Sequence, residues 1–149
     1  GLARMLPNTE LIVVTTPALA AQKVAQRAAD MARRSFLQVI GVIENMSTFT
    51  CDHGDTYALF GEGGGQKLAD AIGAPLLGKV PLEAAVAAGG DAGEPVSLDG
   101  TGAAADEFRA IARQILTEIA PPAPPVDDVD MAGCTAREIE SITAVSLRR

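Results

Sequence analysis

Glu10–Thr15 reads ELIVVT, a short β-rich run that is mostly apolar instead of alternating. That pattern belongs to a strand covered on both faces. Working outward, Thr16-Pro17 opens a helix, with Thr16 placed as N-cap and Pro17 in the first turn, where its missing N–H does no harm. Ala18–Arg34 has high helix propensity, and its apolar residues Leu19, Ala20, Val24, Ala28 and Met31 fall at helical spacing. Leu37–Glu44 (LQVIGVIE) is a second strand, and Pro75–Val80 (PLLGKV) a third, ended by Pro81. Between them lie a long, polar, glycine-rich connection, Asn45–Gly65, and a helix over Gly65–Ile72 closed by Gly73 as C-cap. Glu83–Gly90 reads as a short helix or turn. Thr101–Ala120 reads as a final amphipathic helix with Phe108, Ile111, Ile115 and Ile119 on one face.

Strand–helix–strand alternation with covered aliphatic strands predicts an α/β fold, a mostly parallel sheet with helices on both faces. Sheets of this kind bind ligands beyond the carboxyl ends of their strands. Three segments therefore draw attention: Thr15-Thr16-Pro17, Asn45-Met46-Ser47 and Pro81-Leu82-Glu83. They are expected to converge on one rim.

The chain's 149 residues suit one domain over 1–120 and a tail over 121–149. From Pro121 the sequence (PPAPPVDDVD) turns proline-rich and acidic, the composition of a flexible linker, and Ala136–Leu147 has the makings of a weak helix. Gly1 is not a start methionine, and Gly1–Leu6 reads as the end of an amphipathic helix stopped by Pro7, so a piece of a longer protein is expected. With 48% hydrophobic and 21% charged residues the chain can bury a core, and with 3% aromatics that core must be aliphatic.

A net charge of −7 argues against nucleic acid, whose phosphates demand clustered Lys and Arg, and gives no support for an anionic membrane surface. Apolar runs such as Leu11–Val14 and Leu37–Ile43 are far too short to span a bilayer. Two cysteines, Cys51 and Cys134, make no disulfide framework, which points to a reducing cytoplasm. Cys134 reads as an incidental free thiol.

The strings ELIVVTTP, AAQKVAQRAA, VIGVIENMS, FGEGGGQKLAD and PLLGKVPLE, in this order and spacing, resemble the Mrp/ApbC branch of the deviant Walker A ATPases, which also includes MinD-like proteins. The likeness covers Gly1 to Leu98. GVIENMS followed by a Cys and FGxGGG is specific to this branch, whereas TTP and VPL alone are weak. The resemblance implies the C-terminal part of a P-loop NTPase sheet that works with ATP and Mg²⁺ as a homodimer. Its implied cargo is an iron–sulfur cluster of the 4Fe–4S kind, passed to apo iron–sulfur proteins. The family's phosphate loop and switch aspartates lie upstream of such a segment, and no Gly-x4-Gly-Lys-Ser/Thr loop occurs here. We therefore expect no ATP hydrolysis by this chain alone and assign it no catalytic residue. Gly61-Glu62-Gly63-Gly64-Gly65-Gln66-Lys67 is glycine-rich before a helix but lacks Ser or Thr after the lysine; it reads as a turn that lets backbones approach closely.

Two roles compete for Asn45. A carboxamide offers a donor and an acceptor that complement the adenine edge, and the resemblance implies that this asparagine reads the base. The alternative is an Asn that caps its loop through neighbouring backbone. Pro81 and Leu82 would line the other side of the base or else simply end a strand. In Thr50-Cys51-Asp52-His53-Gly54 relatives often carry Cys-x-x-Cys. Here one residue and the second cysteine are missing, which puts the usual four-thiolate cluster in doubt. Cys51 and His53 remain as the candidate metal ligands, and a two-fold pair would offer two thiolates and two imidazoles, a set able to hold zinc or a mixed-ligand cluster. A Cys–His nucleophile pair lacks any orienting third group.

Three functions are weighed. The first is an ATP-dependent iron–sulfur cluster carrier. The second is a non-catalytic module that binds a partner through its sheet edge. The third is a positioning ATPase of the MinD or ParA sort, for which Ala136–Leu147 is too short and acidic at its start to make a persuasive membrane helix, although Arg148-Arg149 follows it.

Overall fold

The computed structural model describes residues 9–119. The expectations for Gly1–Leu6, for the linker from Pro121 and its helix, and for Cys134 lie outside those residues. Strand β1 (Glu10–Thr15) is followed by α1 (Leu19–Arg34) and β2 (Gln38–Asn45). A small hairpin, β3 (Phe49–Thr50) and β4 (Thr56–Tyr57), precedes α2 (Gly64–Ile72) and β5 (Leu76–Val80). The helices α3 (Ala84–Ala92), α4 (Val96–Asp99) and α5 (Ala103–Gln114) then follow, and the chain runs on through a π-helical turn, Ile115–Ile119.

The sheet has the order β1-β2-β5, and both pairings are parallel. Thr15 stands opposite Glu44, and Asn45 opposite Val80, so all three carboxyl ends share one rim. Two cores flank the sheet. Val13 and Val42 pack with Ala25 and Ala29 of α1 and with Leu68, Ala69 and Ile72 of α2. Leu77 and Val80 pack with Ala104 and Ile111 of α5, joined by Ile12, Ile43 and Phe108. Val42 and Ile43 are successive residues of one strand and serve different cores, so these cores lie on opposite faces. The predicted α/β arrangement holds, as does the predicted face of α5: Ile111 is buried, and Phe108, Ile115 and Ile119 pack against its core.

Helix α1 departs from expectation at two points. Its N-cap is Ala18, not Thr16, and makes no side-chain cap; instead the Gln22 carboxamide donates to the Pro17 carbonyl at 2.7 Å. Its larger apolar residues do not face the core: Leu19, Val24 and Met31 are 65–67% exposed. The buried stripe is Ala25, Ala29 and Ala32. An alanine-rich helix offers two apolar stripes at the same period, and the one made only of methyl groups lets the helix axis come closest to the sheet. The Arg33 guanidinium donates to the Ile72 carbonyl, tying the end of α1 to the end of α2. Gly73 closes α2 in the left-handed conformation, as the C-cap expectation requires.

Candidate functional site

The rim is built from the ends of three strands. Asn45 ends β2, and the next residue, Met46, takes a positive φ of 55° that turns the chain out of the sheet. Two hydrogen bonds then stitch this turn to the end of β5. Ser47 N–H donates to the Val80 carbonyl at 3.0 Å, and Leu82 N–H donates to the Thr48 carbonyl at 2.7 Å. Ser47 is buried, while Pro81 and Leu82 are half-buried. The structure thus brings Asn45, Pro81 and Leu82 to neighbouring positions on one rim.

Asn45 uses its carbonyl oxygen locally, accepting from Met46 N–H at 2.9 Å. The local role weighed from sequence is therefore present. It leaves the carboxamide nitrogen as the end that makes no hydrogen bond among the described residues. Asn45 also lines an apolar groove of about 530 Å³ with Leu11–Thr16 of β1 and Ala21, Val24, Ala25 and Ala28 of α1. Among the described residues β1 is one of the two edge strands of the sheet, and its Val14 is 58% exposed.

From Met46 the chain makes a long excursion before returning at α2, and this contains a hairpin that sequence analysis did not anticipate. Phe49 pairs with Tyr57 and Thr50 with Thr56. The turn between these strands holds Cys51 and His53. Cys51 N–H donates to the Asp55 carbonyl, and Gly54 N–H to the Cys51 carbonyl, each at 2.9 Å. Cys51 is a half-buried free thiol, and His53 is exposed. Among the described residues no three His, Cys, Asp or Glu side chains gather as a metal site. A single copy therefore offers Cys51 and His53 without a completing set. Phe49, Tyr57, Leu59 and Phe60 are exposed around this turn.

The excursion closes at a carboxylate that sequence analysis passed over. Glu44 is 2% exposed, and its Oε2 accepts from Gly65 N–H at 2.5 Å, across 21 residues of chain. Gly65 owes its identity to this contact, because a Cβ there would lie 2.6 Å from the Glu44 Cβ. Gly64 is equally constrained, since its Cβ would lie 2.6 Å from the Pro17 Cα. The Gly63-Gly64-Gly65 run therefore brings α2 against the ends of β1 and β2, as the close-approach expectation held. One N-terminal amide of α2 is already given to a carboxylate, and an added phosphate would have to sit beside that negative charge. The signal that marks Glu44 in sequence is a lone acid near the end of an aliphatic strand, with glycines opening a helix about twenty residues later.

Comparison with known proteins bears on the family and the fold. Residues 1–116 match the family described as ParA: NUBPL iron-transfer P-loop NTPase. An iron-sulfur cluster carrier protein of Mycobacterium bovis is 48% identical over 104 residues, covering 66% of this chain and 27% of the relative. A protein of the same name from Deinococcus radiodurans is 41% identical over 121 residues, covering 80% of this chain and 34% of the relative. The chain thus spans only about a quarter to a third of the curated relatives' length. Among solved structures, the cell division protein MinD of Aquifex aeolicus superposes with a TM-score of 0.59 at 19% identity, over 83% of this chain and 51% of that one; this likeness supports the fold alone.

Proposed function

Because the chain belongs to the iron-transfer P-loop NTPases of the ParA class, the Mrp/ApbC family of its motifs, we propose that it is the base-holding and cluster-holding part of an ATP-dependent iron–sulfur carrier. Its cargo would be a cluster received at Cys51 and passed to apo iron–sulfur proteins. The observation that carries this proposal is the placement of Cys51 in an exposed turn at the far end of an excursion whose base is buried and hydrogen-bonded. A ligand held there can meet a second copy of the chain and a recipient.

The donor set fits a shared cargo better than a private one. One thiolate and one imidazole per copy leave a four-coordinate site half-filled, and a two-fold pair doubles them. Iron of a cluster takes thiolate ligands and, in some centres, imidazole. Two thiolates are fewer than the usual four, so the cargo should be held weakly, a property suited to transfer. At the other end of the rim, the Asn45 carboxamide, with Pro81 and Leu82, would take the adenine of ATP. Mg²⁺ and the phosphates would be handled by residues that this sequence does not contain. The purified chain should turn brown on anaerobic reconstitution with iron and sulfide and lose that colour to an apo-ferredoxin on mixing. A chain that takes up neither iron nor sulfide would contradict the proposal.

One observation favours a second role, the non-catalytic module. The exposed Val14 on the sheet edge and the apolar groove beside it are suited to a strand from another chain. Magnesium-dependent ATP turnover by the purified 149-residue chain, above a contaminant control, would exclude that role; its absence is expected under both.

A further inference from the structure

A helix normally satisfies its first amides through a side chain at its own N-cap. Helix α2 cannot do so, because its N-cap is Gly63. The task has passed to Glu44, 21 residues earlier and on a different element. A local cap has thereby become a cross-link between the sheet and the helix. The choice of a carboxylate has a physical reason. Its charge complements the positive end of α2, and a charged acceptor makes a bond roughly twice as strong as a neutral one. Its buried oxygen is satisfied by a hydrogen bond at a helix N-terminus, as a buried polar group requires.

The cross-link stands at the two ends of one excursion. The chain from Met46 to Gly63 leaves the body at the end of β2 and returns at the start of α2, with Glu44 and Gly65 just inside its two ends. The outgoing arm is held by Ser47 on Val80 and by Leu82 on Thr48, and the returning arm by Gly65 on Glu44. Beyond these bonds lies the hairpin, two residues to a strand, whose own cross-strand pairs are exposed. A two-stranded ribbon of that size has little stability of its own. The direction of the tip is therefore set at its neck.

We propose that Glu44 is a positioning residue whose carboxylate, by holding Gly65 N–H, clamps the neck of the 46–63 excursion and fixes the Cys51 turn relative to the Asn45 end of the rim. The functional weight of this clamp rests on the proposed role of Cys51 in holding a cluster; the clamp itself does not. A cluster shared between two copies needs donors already in place, because ordering a loose loop at the moment of binding subtracts from affinity. Opening the neck would leave the fold standing and the donor misplaced.

The test uses the 149-residue chain and its Glu44→Ala and Glu44→Gln variants, followed by hydrogen exchange and by iron and sulfide content after anaerobic reconstitution. In Glu44→Ala, exchange across 46–64 should rise about tenfold or more, the loss expected for a buried charge-assisted bond. Peptides from β1 and α1 should keep their wild-type rates. Glu44→Gln keeps an acceptor of the same reach and should fall between the two, with bound iron and sulfide following the same order. Unchanged exchange over 46–64, or a rise shared equally by β1 and α1, would overturn the clamp, the latter by showing that Glu44 merely supports the fold. Should Glu44→Ala fail to fold, Glu44→Gln decides alone: faster exchange confined to 46–64 supports the clamp, and a wild-type pattern overturns it. A wild-type chain that takes up no cluster, with the confined exchange response intact, defeats the cluster proposal and leaves the clamp standing.

Discussion

The neck and the tip of the 46–63 excursion are built in opposite ways. At the neck Glu44, Ser47, Gly64 and Gly65 are buried, and hydrogen bonds run to β5 and α2. At the tip Asp52, His53, Gly54 and Asp55 are exposed, and the turn's two backbone bonds connect it only to itself. The difference teaches where the constraint on sequence lies. At Gly64 and Gly65 the neck leaves no room for a Cβ, because backbone and side chain already touch. The tip answers only to what it must bind. The strings that carry the family resemblance, VIGVIENMS and FGEGGG, run into the neck, whereas the Cys-x-x-Cys that the resemblance implies is not met at the tip, which has Cys51 and His53.

The sharpest way to break this comparison is at Gly64. A methyl there meets the backbone of Pro17, which cannot swing aside as a side chain can. Overpacking of this kind costs about 3 kcal/mol, and the better helix propensity of alanine returns about 1 kcal/mol. Gly64→Ala should therefore lower unfolding free energy by roughly 2 kcal/mol in urea melts. An unchanged midpoint would mean the neck is looser than its geometry.

Asn45 adjoins the neck, and its expected effect is on recognition. In a chimera that joins the preceding residues of the Mycobacterium bovis relative to this chain, Asn45→Ala should cut the preference for ATP over GTP. With the carbonyl oxygen engaged by Met46 N–H, the loss expected for the one remaining amide-to-base hydrogen bond is about 0.5–1.5 kcal/mol of discrimination. Equal ATP/GTP affinity ratios in the two proteins would return Asn45 to the local role that its bond to Met46 N–H already describes.

The smallest effect belongs to His53. If its imidazole fills a position that thiolates leave open, His53→Ala should lower iron retention by a few-fold without changing the thermal midpoint, since the side chain is exposed. Equal retention would assign that position to water or a small thiol.

Much of the body was legible in sequence, and the reason is physical. Covered parallel strands are continuous aliphatic runs, so β1 was expected at Glu10–Thr15, the bounds observed. Gly73 was marked as C-cap because few other residues take the left-handed turn cheaply. The register of α1 was not legible, because alanine stripes and larger apolar stripes share one period, and only tertiary packing chooses between them. The β3-β4 hairpin escaped notice because two-residue strands have no periodicity to read. Glu44 escaped because its partner is 21 residues away, and nothing local distinguishes a buried acid at a strand end from a solvated one. At the site, Cys51 and His53 were legible as chemistry but not as geometry.

The central claim is that Cys51 holds the cargo, and it is tested most directly by metal content. Wild type and Cys51→Ser, each reconstituted anaerobically with iron and sulfide and freed of excess reagent, should be assayed for both elements and for visible absorbance per chain. The account predicts an oxygen-labile brown species in wild type and a loss of nearly all iron, sulfide and colour in the variant, because serine removes the thiolate that cluster iron prefers. Equal iron and sulfide in the two proteins would contradict it.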